Sequence, residues 1–168
     1  MLSEADLLPV IAELSIVFAG FASLISVAGA INSREQVTAA LWRMRGMLET
    51  AMLAFAFSLM PYLPAKFGVS DNLSWHAAAV VFATVVIARL VFFIRVRERP
   101  KLINPRVAQV IGGGQLFASL LLLGASFWLP LAAVVGAYHL LLLLMLFVSA
   151  ILFSRVAMLA IAGTERKT

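Results

Sequence analysis

Cysteine is absent from the chain, which excludes disulfides, thiolate-bound metal and thiol catalysis. Charge is scarce as well: Asp, Glu, Lys and Arg make up 12% of the residues, against about 25% in an ordinary soluble domain. A soluble protein of this length must cover its surface with polar groups, so a soluble fold is excluded. Only two histidines occur in 168 residues. They are His76 and His139, far apart in sequence, and no HExxH or other compact ligand spacing exists. No metal site and no cofactor is expected. Gly112–Gly114 forms a glycine run, yet no Lys-Ser/Thr follows it and no strand precedes it, which excludes a phosphate-binding loop. The opening "MLSEADLLP" carries Glu4 and Asp6 where a secretory signal would be basic, so no signal peptide is expected.

What the chain has in excess is apolar sequence. Hydrophobic residues make up 63% of it, and the mean hydropathy is +1.04. A bilayer core takes about 20 apolar residues per helix, and the runs predict an all-α integral membrane protein with five transmembrane helices. The spans are 8–30, 48–64, 75–94, 110–129 and 137–156, in a single membrane domain covering 1–168. Pro61 and Pro64 are expected to end the second span rather than hinge it.

Net charge is +5, which in a soluble chain would point to nucleic acid. Here the basic residues follow the membrane pattern instead. Arg34, Arg43 and Arg45 follow the first span. Arg95, Arg97, Arg99, Lys101 and Arg106 follow the third, and Arg155, Arg166 and Lys167 follow the fifth. All but Lys66 and Arg89 of the 13 basic residues therefore fall on one side, which the positive-inside rule makes cytoplasmic. The amino terminus is placed outside and the carboxyl terminus in the cytoplasm. Residues 95–109 form a basic cytoplasmic loop. In residues 34–47 and into the start of the second span, Val37, Ala40, Leu41, Met44 and Leu48 make an apolar stripe beside Trp42. That pattern predicts a short amphipathic helix lying along the headgroups between the first two spans.

The fifth apolar run extends from Leu131 to Leu159, longer than one span needs. A faint echo helps to divide it. "YLP" (Tyr62–Pro64) and "WLP" (Trp128–Pro130) each close a span, and "WH" (Trp75, His76) and "YH" (Tyr138, His139) each precede an apolar run. The echo predicts that the fifth helix starts near Ala137, with Pro130–Gly136 as an outer loop. His139 then marks the end of the helix near the headgroups. If the helix starts at Leu131 instead, His139 lies about 12 Å deep by helical rise.

Ionisable and amide groups within the spans are the functional candidates, because they are costly in lipid and normally face protein or water. Glu13 is expected near the outer edge of the first span, either at the interface, hydrogen-bonded to Ser15, a neighbouring helix or the loops, or facing His76 or His139 as a cation or proton site. Arg89 is expected to snorkel to the cytoplasmic headgroups, or else to pair with Glu49 or Gln115. These six residues form the candidate translocation or polar site; no catalytic residue is expected. Ala12, Ser15, Ala19, Ala22, Ser26 and Gly29 recur at spacings of three and four, a small-residue seam for helix packing.

Acid, base and metal groups do not converge as membrane enzymes require. The expected function is a homo-oligomeric channel or small transporter for an ion or small solute. The alternative is a non-catalytic structural or accessory subunit of a membrane complex, with an unidentified membrane-protein partner. The expected surroundings are the lipid bilayer, in a bacterial inner (plasma) membrane, with no nucleic acid.

Overall fold

The computed structural model describes residues 4–28, 34–95 and 105–165, with side chains over 7–21, 44–64, 66–95, 109–155 and 157–158. The described residues form α-helices joined by turns: α1 (Glu4–Ala28), α2 (Arg34–Leu59), α3 (Tyr62–Lys66), α4 (Asp71–Arg95), α5 (Pro105–Trp128) and α6 (Leu131–Glu165). Four helical stretches are long and apolar enough to cross a membrane: Met44–Pro64, Asp71–Arg95, Gln109–Trp128 and Leu131–Arg155. The apolar part of α1 with described side chains, Leu7–Phe21, is shorter.

Local chemistry sets the boundaries. Pro61 has no N–H to continue a helical ladder, and α2 stops at Leu59. Proline falls at the first position of α5, where its missing donor costs nothing. Gly68 turns the chain into α4 at φ +78°, a conformation that side chains with a Cβ rarely adopt. At the α5–α6 turn, the Leu129 amide closes α5 on the Ala125 carbonyl at 3.0 Å. The amides of Ala133 and Val134 then open α6 on the Pro130 carbonyl, at 2.9 and 3.3 Å.

That turn corrects the expected start of the last helix. Residues 131–136 are helical, because Pro130 caps the helix through its carbonyl and nothing in "LAAVVG" stops it. The predicted outer loop does not form. The connector 34–47 also differs from expectation, since α2 runs unbroken from Arg34 to Leu59. No proline interrupts that stretch, so the predicted amphipathic segment is the first half of one longer helix. The side chains of Val37, Ala40 and Leu41, with most of the 95–109 loop and Gly29, lie outside the described residues.

Helix α6 is the shared element. α1, α2, α4 and α5 all pack on it, while α1 also packs on α2 and α4 on α5. Half of its span is buried, against 28–39% in the other three. Its length has a packing reason. α5 runs level with the start of α6, whereas α2 meets it first at Tyr138, whose hydroxyl reaches the Phe57 carbonyl two residues before the end of α2. Farther along, Met47 of α2 meets Val148 and Leu152, and Phe18 and Phe21 of α1 meet Phe153. Contacts with the two hairpins are spread along α6 from Val134 to Phe153. Gly46 admits the close approach of α6: a Cβ there would stand 3.4 Å from Leu152 Cδ1.

Candidate functional site

One end of the bundle carries the α5–α6 turn, and the other carries Arg45, Arg95 and Arg155. Just below the turn end, four aromatic rings cluster, Tyr138 at their centre. Trp75 meets it edge-on at 5.5 Å, Phe82 lies at 5.2 Å, and Phe82 stacks on Phe57 at 4.3 Å. Tyr138 is fully buried, and its hydroxyl donates to the Phe57 carbonyl at 2.6 Å. The reason lies in the sequence: the amide that would serve that carbonyl belongs to residue 61, which is proline. Tyr138 supplies the hydrogen bond that Pro61 withholds.

His139 lies next to it. It is 7% exposed, its ring 6.0 Å from that of Trp75. Nδ1–H donates to the Val135 carbonyl at 2.8 Å. Nε2 is buried without a hydrogen-bond partner. His139 does stand level with the Trp75–His76 pair, as the echo predicted. It is no end-marker, however, because two further helical turns precede it and the bundle closes over it. His76 is half-buried in the first turns of α4, and its Nδ1–H donates to the Asn72 carbonyl at 2.7 Å.

Farther down, Gln115 is buried and its Nε2 donates to Met145 Sδ at 3.3 Å. Gln115 therefore joins α5 to α6 and does not meet Arg89. Between α2 and α6, Thr50 and Ser149 are fully buried with their hydroxyls 2.7 Å apart. Thr50 also reaches the Gly46 carbonyl at 2.7 Å. Sequence reasoning passed over this pair because single hydroxyls in apolar runs carry no spacing signal. Other hydroxyls, on Ser15, Ser119 and Ser126, bond back to carbonyls four residues earlier.

Next to Thr50 in the chain, Glu49 stands between two arginines. Arg45 on its own helix donates from Nε to Oε1 at 2.6 Å. Arg89 on α4 places its Nε 3.8 Å from Oε2, an ion pair too long to be a hydrogen bond. That Nε is buried and unsatisfied, and the guanidinium lies 5.2 Å from the Phe93 ring centre. Of the two expected arrangements, the structure has the pairing with Glu49; Arg89 is mostly covered rather than extended to the headgroups.

Glu13 differs most from expectation. It is exposed on α1, next to Leu14 and one turn from Val10 and Val17, all exposed. Among the described residues no hydrogen bond or ion pair reaches it. Its level differs too. Phe18 and Phe21 bracket Phe153, which puts Glu13 about 10 Å above Phe153 by helical rise, while His139 is about 21 Å above it. The two do not face each other. Of the small-residue seam, Ala12 and Ser15 are buried and Ala19 is half-buried; the side chains of Ala22 and Ser26 and all of Gly29 lie outside the described residues. Among the described residues no three His, Asp or Glu side chains converge as a metal site needs.

Compared with known protein families, curated proteins and solved structures, the chain matches none.

Proposed function

We propose that the protein is a small membrane channel or transporter for an ion or small solute, working as an assembly of several copies. One observation carries this reading. Two buried side-chain polar atoms among the described residues have no hydrogen-bond partner, Arg89 Nε and His139 Nε2, and both belong to membrane-length helices. Buried polar groups in natural proteins are nearly always satisfied, and intramembrane ionisable groups mark substrate and ion pathways, proton relays and similar sites. A passing ion, water or solute would meet both unmet valences, with Gln115 and the Thr50–Ser149 pair between them.

The membrane arrangement belongs to the same proposal. α1 counts as a fifth span, and the arginine end faces the cytoplasm, since Lys and Arg concentrate on that side. His139 then lies toward the outside and the Glu49–Arg89 pair toward the cytoplasm. A bacterial plasma membrane suits a chain with loops this short.

A second reading, a non-catalytic accessory subunit, is favoured by the exposed Glu13, which would suit a binding face for another membrane protein. Purified protein in liposomes separates the two. Imposed proton, alkali-cation and halide gradients should dissipate faster with the parent protein than in empty vesicles. Arg89→Gln should slow that flux at least tenfold. Parent protein that leaves every gradient intact would sink the transport reading, and recovery only with a second polypeptide would favour the other.

A further inference from the structure

Charge on the covered side chains says which kind of solute the bundle suits. Side-chain exposure falls along the Arg45–Glu49–Arg89 cluster, from 67% through 33% to 15%. The cluster thus leads from the arginine end into the bundle, and Arg95 and Arg155 stand exposed at that end. The positive-inside rule accounts for the exposed arginines, but not for a covered one. Arg45, Glu49 and Arg89 sum to one positive charge. Among the described residues every other Asp, Glu, Lys and Arg side chain is exposed. A cleft lined by one sign of charge concentrates ions of the other.

Hydrogen-bonding capacity points the same way. A guanidinium carries five N–H donors, and among the described residues none on Arg89 makes a hydrogen bond. Its Nε is buried without a partner, and the carboxylate 3.8 Å away is too distant to accept. That carboxylate is held elsewhere, by Arg45 Nε on Glu49 Oε1 at 2.6 Å. The Arg89 guanidinium lies over the Phe93 ring at 5.2 Å, which covers a face and leaves the N–H edges for an acceptor. Deeper in, Gln115 Nε2 donates to the Met145 thioether, a weak acceptor that an anion would replace. A cation, in contrast, would meet two arginines and a carboxylate already held. His139 Nε2 is an acceptor while Nδ1–H donates to Val135, and a water carried with the ion would satisfy it.

We propose that the solute is a small inorganic anion of the halide or nitrate kind, that the Arg89 guanidinium binds it, and that Arg45 keeps this site open by holding Glu49 away. Glu49 is the competitor of the anion, and Arg45 a positioning residue that acts through it. The proposal names the substrate class for the transport proposed above and rests on that reading.

The test uses the full chain in phosphatidylcholine liposomes, with a chloride-sensitive dye inside and potassium with valinomycin setting the voltage. Chloride and nitrate should pass at least tenfold faster than sodium. Glu49→Gln removes the competitor and should lower the half-saturating chloride concentration several-fold. Arg45→Gln frees Glu49 to pair with Arg89 and should raise it several-fold. The double variant should match Glu49→Gln, because Arg45 acts through the carboxylate. A double variant that instead adds the two effects, or no change in either single variant, would overturn the proposal. Arg89→Lys should keep the preference for chloride over sodium, and Arg89→Gln should lose at least tenfold in chloride flux. Should Arg89→Gln fail to fold, the Arg45 and Glu49 variants still decide. Sodium flux without chloride flux would overturn the anion assignment and spare transport, whereas no flux of any ion sinks both. Half-saturating chloride that rises as phosphatidylglycerol replaces phosphatidylcholine would make a headgroup phosphate the occupant, and would overturn the assignment to a solute.

Discussion

At the scale of single residues, Tyr138 and Pro61 show how one covalent fact spreads through a fold. Proline removes an amide, the Phe57 carbonyl loses its helical donor, and a hydroxyl from another helix replaces it at 2.6 Å. Leaving a buried acceptor unsatisfied costs about 1–3 kcal/mol. Tyr138→Phe should therefore lower the free energy of unfolding by about that amount in a detergent-denaturation titration. In a Pro61→Ala background residue 61 regains its amide, and the same Tyr138→Phe change should cost less than half as much. Equal costs in both backgrounds would show that the hydroxyl serves some other end. Nothing in the sequence ties Tyr138 to Pro61. Both were visible, one in the "YH" echo and the other as a helix end, but their link depends on which helices touch.

At the scale of elements, α6 carries the bundle, and its buried pair with α2 is open to a plain test. Interhelical hydrogen bonds within membranes average about 0.6 kcal/mol and reach about 1.7 kcal/mol. Thr50→Val keeps the shape and removes the hydroxyl, so a loss in that range is expected from the same titration, with Ser149→Ala adding little once Thr50 is gone. Additive losses would mean that the two hydroxyls act separately. The helical class and the four long apolar stretches were legible because hydrophobic length is written directly in composition. The start of α6 was not legible. An echo between "WH" and "YH" placed it near Ala137, whereas capping by the Pro130 carbonyl opens the helix at Leu131. Periodicity also could not show that residues 34–47 and the following span are one helix, since an amphipathic stretch and an apolar one share the same backbone.

At the scale of the whole molecule, the polar side chains divide into two groups. His139, Gln115, Thr50, Ser149 and Arg89 are covered or mostly covered, and Glu49 is partly covered, whereas Glu13 stands outside the bundle on an apolar surface. Sequence had placed Glu13 with the histidines because depth along a helix can be counted, but the level of one helix against another and the direction a side chain faces cannot. The first group supplies the proposed path. A change at His139 should therefore alter transport within an assembly of unchanged mass.

The most direct measurement compares flux through liposomes holding parent protein, His139→Leu and His76→Leu at equal protein content. Both histidines make one backbone hydrogen bond through Nδ1, and His139 alone keeps a buried Nε2 without a partner. The expected result is at least a tenfold loss for His139→Leu with unchanged oligomeric mass, and near-parental flux for His76→Leu. Equal flux from parent and His139→Leu, or none from the parent under any gradient, would contradict a transport path through the bundle.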